Sequence, residues 1–169
     1  TPQSEVFEFL EKRRKMIDGV VVTGGEPTIY NNELIEFIKD IKKKEYLVKL
    51  DTNGSNPEVV QKLIDENLVD YIAMDVKQVL EKYDLFTKIP LEKIKQTIDI
   101  LKKSNVKREF RVVTHPQLTK DDFDKIIDLL DGEKVFVQDF INKNTLESFS
   151  EYNSIYNQLE KNNNKYILR

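Results

Sequence analysis

The run Gly19-Val20-Val21-Val22, followed at once by Thr23-Gly24-Gly25-Glu26-Pro27, limits the fold more than any other feature of the chain. Four residues with three valines suit a strand buried inside a parallel sheet. The two glycines let the backbone turn sharply where the strand ends, with no side chain between it and a ligand. Two further segments repeat the layout. Leu47-Val48-Lys49-Leu50 ends in Asp51-Thr52-Asn53-Gly54, and Val69-Asp70-Tyr71-Ile72-Ala73-Met74 ends in Asp75-Val76-Lys77. Strands whose carboxyl ends all carry polar residues belong to parallel α/β folds, where ligands bind at those ends.

The pattern between the strands agrees. Helical spacing of apolar residues predicts helices over 4–16, from Asn31 or Asn32 onward, from Pro57, from Pro90, from Thr119, and over 146–161. Strands are expected at 19–23, 46–51, 69–75, 108–114 and 134–138, with Tyr166-Ile167-Leu168 as a short final strand or a docked tail. Residues 78–88 read as a loop with a helical turn, anchored by Leu80, Tyr83 and Phe86. The alternation predicts an α/β fold with a parallel sheet. A length of 169 residues suits one domain. No strand precedes the first helix, so one βα unit is missing from the expected set.

Composition removes several classes of function. Lys+Arg 27 against Asp+Glu 30 gives a net charge of −3, which does not suit a nucleic-acid surface. No apolar stretch is long enough to span a membrane and no signal peptide is visible, so a soluble cytoplasmic protein is expected. The chain has no cysteine and one histidine, His115. Disulfides, thiolate catalysis, cysteine-held clusters and multi-histidine metal sites are therefore excluded within it.

Glu26, Asp51 and Asp75 fall at successive strand ends, with Lys77 beside them. Carboxylates gathered at one mouth repel one another unless a cation or a cationic ligand joins them. The segment from Thr23 to Pro27 is neither Gly-x-Gly-x-x-Gly nor a Gly-Lys-Ser/Thr loop, and its carboxylate and carbonyls suit an ammonium group rather than a phosphate. Arg111 lies inside a strand and needs an anionic partner; a ligand carboxylate, Glu109 or Asp139 would serve. His115 reads as a loop residue, and Gln138 as either a mouth residue or a core amide. Asp75 and Lys77 could equally form a salt-bridged pair at a strand end.

Asp18-Gly-Val-Val-Val-Thr-Gly-Gly-Glu-Pro-Thr28, Val48-Lys-Leu-Asp-Thr-Asn-Gly54 and Asp70-Tyr-Ile-Ala-Met-Asp-Val-Lys77 together resemble the radical S-adenosylmethionine (SAM) superfamily. Within it, the chain resembles activating enzymes of glycyl-radical enzymes, notably those for anaerobic ribonucleoside-triphosphate reductase and pyruvate formate-lyase. The resemblance implies a partial (β/α)6 TIM-like barrel of parallel strands. It implies that Gly24, Gly25, Glu26 and Pro27 bind the methionine amino group of SAM. Asp51, Asn53, Asp75 and Lys77 would line the same mouth, with Arg111 and Gln138 as looser matches. Asp51, Met74 and Asp75 would stand where related activases hold a monovalent cation.

The implied reaction is reductive cleavage of SAM by a 4Fe-4S cluster, with hydrogen abstraction from a glycine of the partner enzyme. Flavodoxin or ferredoxin would supply the electron. The family holds its cluster with Cys-x3-Cys-x2-Cys after the first strand, and this chain has no such motif. It is therefore expected to be one N-terminally truncated barrel domain over 1–169, inactive alone and with an open first edge that favours association. The alternative is a cluster-free barrel that binds SAM or serves as a scaffold.

Overall fold

The computed structural model describes residues 2–140, 155–159 and 164–169. Six parallel strands form one sheet in simple sequential order: β1 (Gly19–Val22), β2 (Leu47–Thr52), β3 (Tyr71–Asp75), β4 (Lys107–Thr114), β5 (Val135–Asp139) and β6 (Ile167–Leu168). Helices α1 (Gln3–Lys12), α2 (Asn31–Lys43), α3 (Pro57–Asp65), α4 (Leu91–Lys103) and α5 (Lys120–Leu129) alternate with them. The sheet is not closed: among the described residues β1 pairs only with β2, and β6 only with β5. The parallel α/β sheet is the one the alternation predicts, and its open, sequential order agrees with the partial, TIM-like barrel that the resemblance implies. The expected helix over 146–161 falls largely outside the described residues; Ile155–Gln158 within it is a 3-10 turn.

Residues alternate strictly between the two faces. Val48 and Leu50 of β2, Ile72 and Met74 of β3, Phe110 and Val112 of β4, and Val135 and Val137 of β5 are all buried. They meet Ile38, Ile41, Val60, Leu63, Ile94, Ile98, Phe123 and Ile126 from the helices in one continuous core. Each such aliphatic side chain contributes about 1.5–3 kcal/mol on burial. The opposite face carries Lys49 and Asp51 of β2, Tyr71 and Asp75 of β3, and Glu109 and Arg111 of β4. A parallel sheet covered on both faces would read as continuous apolar runs; here the alternation marks one face as polar. Val21, in register with Lys49, is 54% exposed at the open first edge.

Local signals set the helix starts. Pro57 and the chain before it place α3 directly after Asn56. Thr119 accepts a hydrogen bond from the Asp122 backbone N–H at 3.1 Å, capping α5 as the sequence indicates. Asn31 and Asn32 begin α2 without a side-chain cap, and Asn31 has φ 44°. The Leu80–Leu85 turn is fixed by buried Tyr83, and by Lys82, whose Nζ lies 2.8 Å from both carboxylate oxygens of buried Asp122. Against the cost of burial, that ammonium and the Thr119 donors hold the Asp122 carboxyl below the ordinary carboxylate range.

Candidate functional site

The Thr23–Pro27 loop leaves β1 and is fastened to the end of β2 through one carboxylate. Glu26 Oε1 accepts from the Thr28 hydroxyl at 2.6 Å, the Thr28 N–H at 3.2 Å and the Thr52 hydroxyl at 2.8 Å. Its Oε2 accepts from the Asn53 N–H at 2.6 Å. Thr28 Oγ1 also accepts from Asn56 Nδ2 at 2.9 Å, tying the loop to the start of α3. Glu26 is thus a structural hub joining two strand ends, and its negative charge is answered within the protein. Pro27 is buried at the first position of the 3-10 turn that follows. Gly24 has φ 135°, and a Cβ added at Gly24 or Gly25 would meet nothing within 4 Å. The loop therefore presents bare backbone to open space. A groove of about 570 Å³ runs along it, lined by Val22, Thr23, Gly24, Gly25, Glu26 and Pro27 among others.

Beside the loop, Arg111 lies between two carboxylates. Its Nη1 donates to Asp51 Oδ2 at 2.9 Å and its Nε to Asp75 Oδ1 at 2.7 Å. Register explains the meeting: Asp75 pairs with Arg111 across β3 and β4, and Asp51 pairs with Ala73 across β2 and β3, so all three side chains share the polar face. Burial works against the charged guanidinium, but the two carboxylates outweigh it and raise its pKa further above the ordinary value. Neither carboxylate engages Nη2 in a hydrogen bond.

A second layer lies beneath. Lys49 Nζ sits 3.3 Å from Glu109 Oε1 and 3.6 Å from Asp51 Oδ1. Tyr71 donates to Glu109 Oε2 at 2.8 Å, and Arg169 Nη2 reaches the same oxygen at 3.6 Å while stacking on Phe136. Desolvation, followed by the Glu109 contact, pushes the Tyr71 phenol up to about 12. Asp51 Oδ1 is buried with no hydrogen bond.

The other expected residues divide. Lys77 is exposed at the rim, and no ion pair of its ammonium is present among the described residues. Its backbone N–H donates to Tyr83 Oη at 3.2 Å, and its carbonyl lies 2.9 Å from His115 Nε2. The Asp75–Lys77 salt bridge that the sequence allows is not formed; Asp75 takes Arg111 instead. Asn53 Oδ1 accepts from the Ser55 N–H at 2.9 Å, an Asx turn at the mouth. Gln138 stands on β5 in register with Val113, one same-face step beyond Phe136, the partner of Arg111. His115 is a loop residue, as its place before Pro116 suggests, and stacks on Phe86 with centroids 4.6 Å apart.

Met74 does not join the mouth. Its side chain is fully buried on the helix-covered face under Gly54. With Arg111 already bridging Asp51 and Asp75, these residues do not fit a bound cation, and no cluster of metal-binding side chains occurs among the described residues. Nor does the chain fit an iron–sulfur cluster, having no cysteine to ligate it. Lys49 and Glu109 were not singled out as site residues from sequence; for Lys49 the available signal was its place between Val48 and Leu50, whereas Glu109, between Arg108 and Phe110, carries no such signal. A larger cleft, about 930 Å³, lies at the amino ends of the strands near Leu47, Asn67 and Lys107, opposite the motif-bearing ends. No helix among the described residues is long and apolar enough to cross a membrane.

The chain is similar to known proteins. A protein of Methanocaldococcus jannaschii named as a putative glycyl-radical enzyme activating enzyme is 40% identical over 111 residues, 62% of this chain. The chain spans 46% of that relative's length. A crystallised domain of pyruvate-formate lyase-activating enzyme from Bacteroides vulgatus superposes with a TM-score of 0.58. The superposition covers 74% of this chain and 82% of that one; at 16% identity it speaks to the fold alone. The profile of the radical SAM superfamily matches residues 1–130, which include all three strand-end motifs, and the chain belongs to that superfamily.

Proposed function

We propose that this chain is the SAM-binding core of an activating enzyme for a glycyl-radical protein. The observation that carries the reading is the bare Gly24–Gly25 backbone at the carboxyl end of β1, on a sheet whose polar face holds Arg111 fixed by Asp51 and Asp75. The methionine end of SAM is an ammonium beside a carboxylate. Backbone carbonyls of the Thr23–Gly25 turn are suited to the ammonium. Arg111 Nη2 and the Lys77 ammonium are suited to the carboxylate. Gly24 and Gly25 leave the volume a ligand needs, and Asn53 closes that side. Bound SAM supplies a carbon–sulfur bond open to one-electron reductive cleavage. This chain's residues orient it and exclude water around it.

The thiolates of a 4Fe-4S cluster are not among these residues, so we infer that this chain alone binds SAM without cleaving it. The protein partner would be a glycyl-radical enzyme such as anaerobic ribonucleotide reductase or pyruvate formate-lyase, with flavodoxin or ferredoxin as electron donor, in the cytoplasm. The name of the M. jannaschii relative, a glycyl-radical enzyme activating enzyme, supports that class of partner. The absence of cysteine also favours a second reading, a cluster-free SAM-binding or scaffold barrel.

Calorimetric titration of the chain with SAM tests the common part of both readings. Saturable binding that is lost in Arg111→Met is expected; no binding by the wild-type chain overturns them. Anaerobic incubation with SAM and a strong reductant is expected to release no 5′-deoxyadenosine, and release would overturn the inferred inactivity.

A further inference from the structure

Three carboxylates and three cations occupy the polar face as one connected group: Asp51, Asp75 and Glu109 with Lys49, Arg111 and Arg169. The six charges sum to zero. Glu109 is the most deeply buried of the three acids, at 2% exposure, and stands in the same row of the sheet as Asp51, with Ala73 between them. It is closer to Lys49 than Asp51 is, 3.3 Å against 3.6 Å, and Asp51 Oδ1 is left without a hydrogen bond. Lys49 is therefore shared between two acids and leans toward the deeper one.

We propose that Glu109 is a positioning and specificity-determining residue for the mouth: by drawing toward itself the lysine it shares with Asp51, and keeping this six-charge group neutral, it lets the site accept a ligand carrying a positive charge beside its amino-acid end. This rests on the reading of the mouth as a SAM site. SAM differs from S-adenosylhomocysteine by a methyl group and the positive charge of its sulfonium. A neutral interior does not repel that charge. Removing the Glu109 charge leaves the interior at +1, which opposes a cation by Coulomb repulsion across a poorly screened space. It also frees Lys49 to move onto the open oxygen of Asp51, drawing Asp51 away from Arg111. Removing Lys49 has the opposite effect on net charge. Removing both restores neutrality.

Calorimetry with SAM and with S-adenosylhomocysteine tests this on the chain and on Glu109→Gln, Lys49→Met and the double variant. In Glu109→Gln the preference for SAM over S-adenosylhomocysteine is expected to fall roughly threefold to tenfold. It should rise in Lys49→Met and return to the wild-type ratio in the double variant. A merely structural role would not give rescue by a second substitution. An unchanged ratio in Glu109→Gln, or a double variant as impaired as the single, overturns the proposal. If Glu109→Gln does not fold, Glu109→Asp, which keeps the charge, is expected to keep the wild-type ratio while Lys49→Met raises it; any other pair of results overturns it. A crystal structure of Glu109→Gln gives a reading that needs no ligand. Lys49 Nζ is expected within about 3 Å of Asp51 Oδ1, and a lysine that stays put overturns the proposal. Should neither ligand bind the wild-type chain, the SAM reading fails, while the lysine's position still decides the role of Glu109.

Discussion

Arg111 Nη1 lies 2.9 Å from Asp51 Oδ2, although the two residues are 60 positions apart in the chain. The contact joins β4 to β2 across β3, whose own Asp75 takes the Nε of the same guanidinium. Arg111→Met would leave both carboxylates without their shared partner, each partly withdrawn from water. A loss of about 2–4 kcal/mol is expected, read from the urea midpoint. A midpoint within experimental error of wild type would contradict the bridging role.

Glu26 is expected to matter more for the shape of the mouth than for its charge. Four donors converge on its carboxylate. Glu26→Gln replaces one accepting oxygen by a donating NH2 that cannot satisfy Thr52 and Asn53 together with Thr28. The expected cost is about 1–3 kcal/mol, with amide exchange accelerated first over Thr23–Thr28 and Asn53. Uniform exchange across the sheet would argue against a local hub.

Two glycines should respond in opposite ways. A Cβ at Gly25 meets open space, so Gly25→Ala is expected to leave stability within about 0.5 kcal/mol while weakening SAM binding roughly tenfold or more. At Gly54, φ is 78° and a Cβ would fall 2.3 Å from Met74 Cε. Gly54→Ala is therefore expected to cost about 1–3 kcal/mol. Paired thermal melts and calorimetry separate the two outcomes. Tight binding by Gly25→Ala would remove the loop from the site.

Alkaline pH provides a further test. Burial, with the Asp75 charge adding a little, pushes the phenol of Tyr83 up to about 12, and Tyr71 reaches about 12 for the reasons given above. The folded chain keeps these two protons where an unfolded chain gives them up, from about pH 10. Their contribution is thus complete below pH 10 and is lost as the pH rises toward 12. Ultraviolet titration should show the Tyr71 and Tyr83 phenols ionising late. Tyr83→Phe should remove one of them, and Glu109→Gln should move the other earlier.

Much of this was legible in the sequence because strand ends and turn residues are local. The Gly19–Val22 run, the Asn56–Pro57 helix start and the Thr119 cap all depend on neighbours within a few positions. The meeting of Asp51, Asp75 and Arg111 depends instead on register between strands, which no local signal carries. On residue type alone Arg111 matches a ligand carboxylate, Glu109 or Asp139; the structure pairs it with neither of those side chains but with Asp75, its register partner, and with Asp51. Met74 shows the same limit. Its neighbour Asp75 is at the mouth, and a one-residue step along a strand turns the side chain to the other face. The limits of β1 to β5 each differ from the expected ones by one or two residues; at β2 and β3 the flanking Tyr46 and Val69 continue the apolar pattern outside the strand.

The alternation along β2, β3 and β4 also joins two liabilities. Val48, Leu50, Ile72 and Phe110 hold the helices, while Lys49, Asp51, Tyr71 and Glu109 build the charged face from the positions between them. A deletion of a single codon within β2 would send Lys49 and Asp51 into the oily layer and turn Val48 and Leu50 toward the ligand. Folding and chemistry are thus written in the same reading of each strand, and a shift by one letter of the protein's alphabet erases both together.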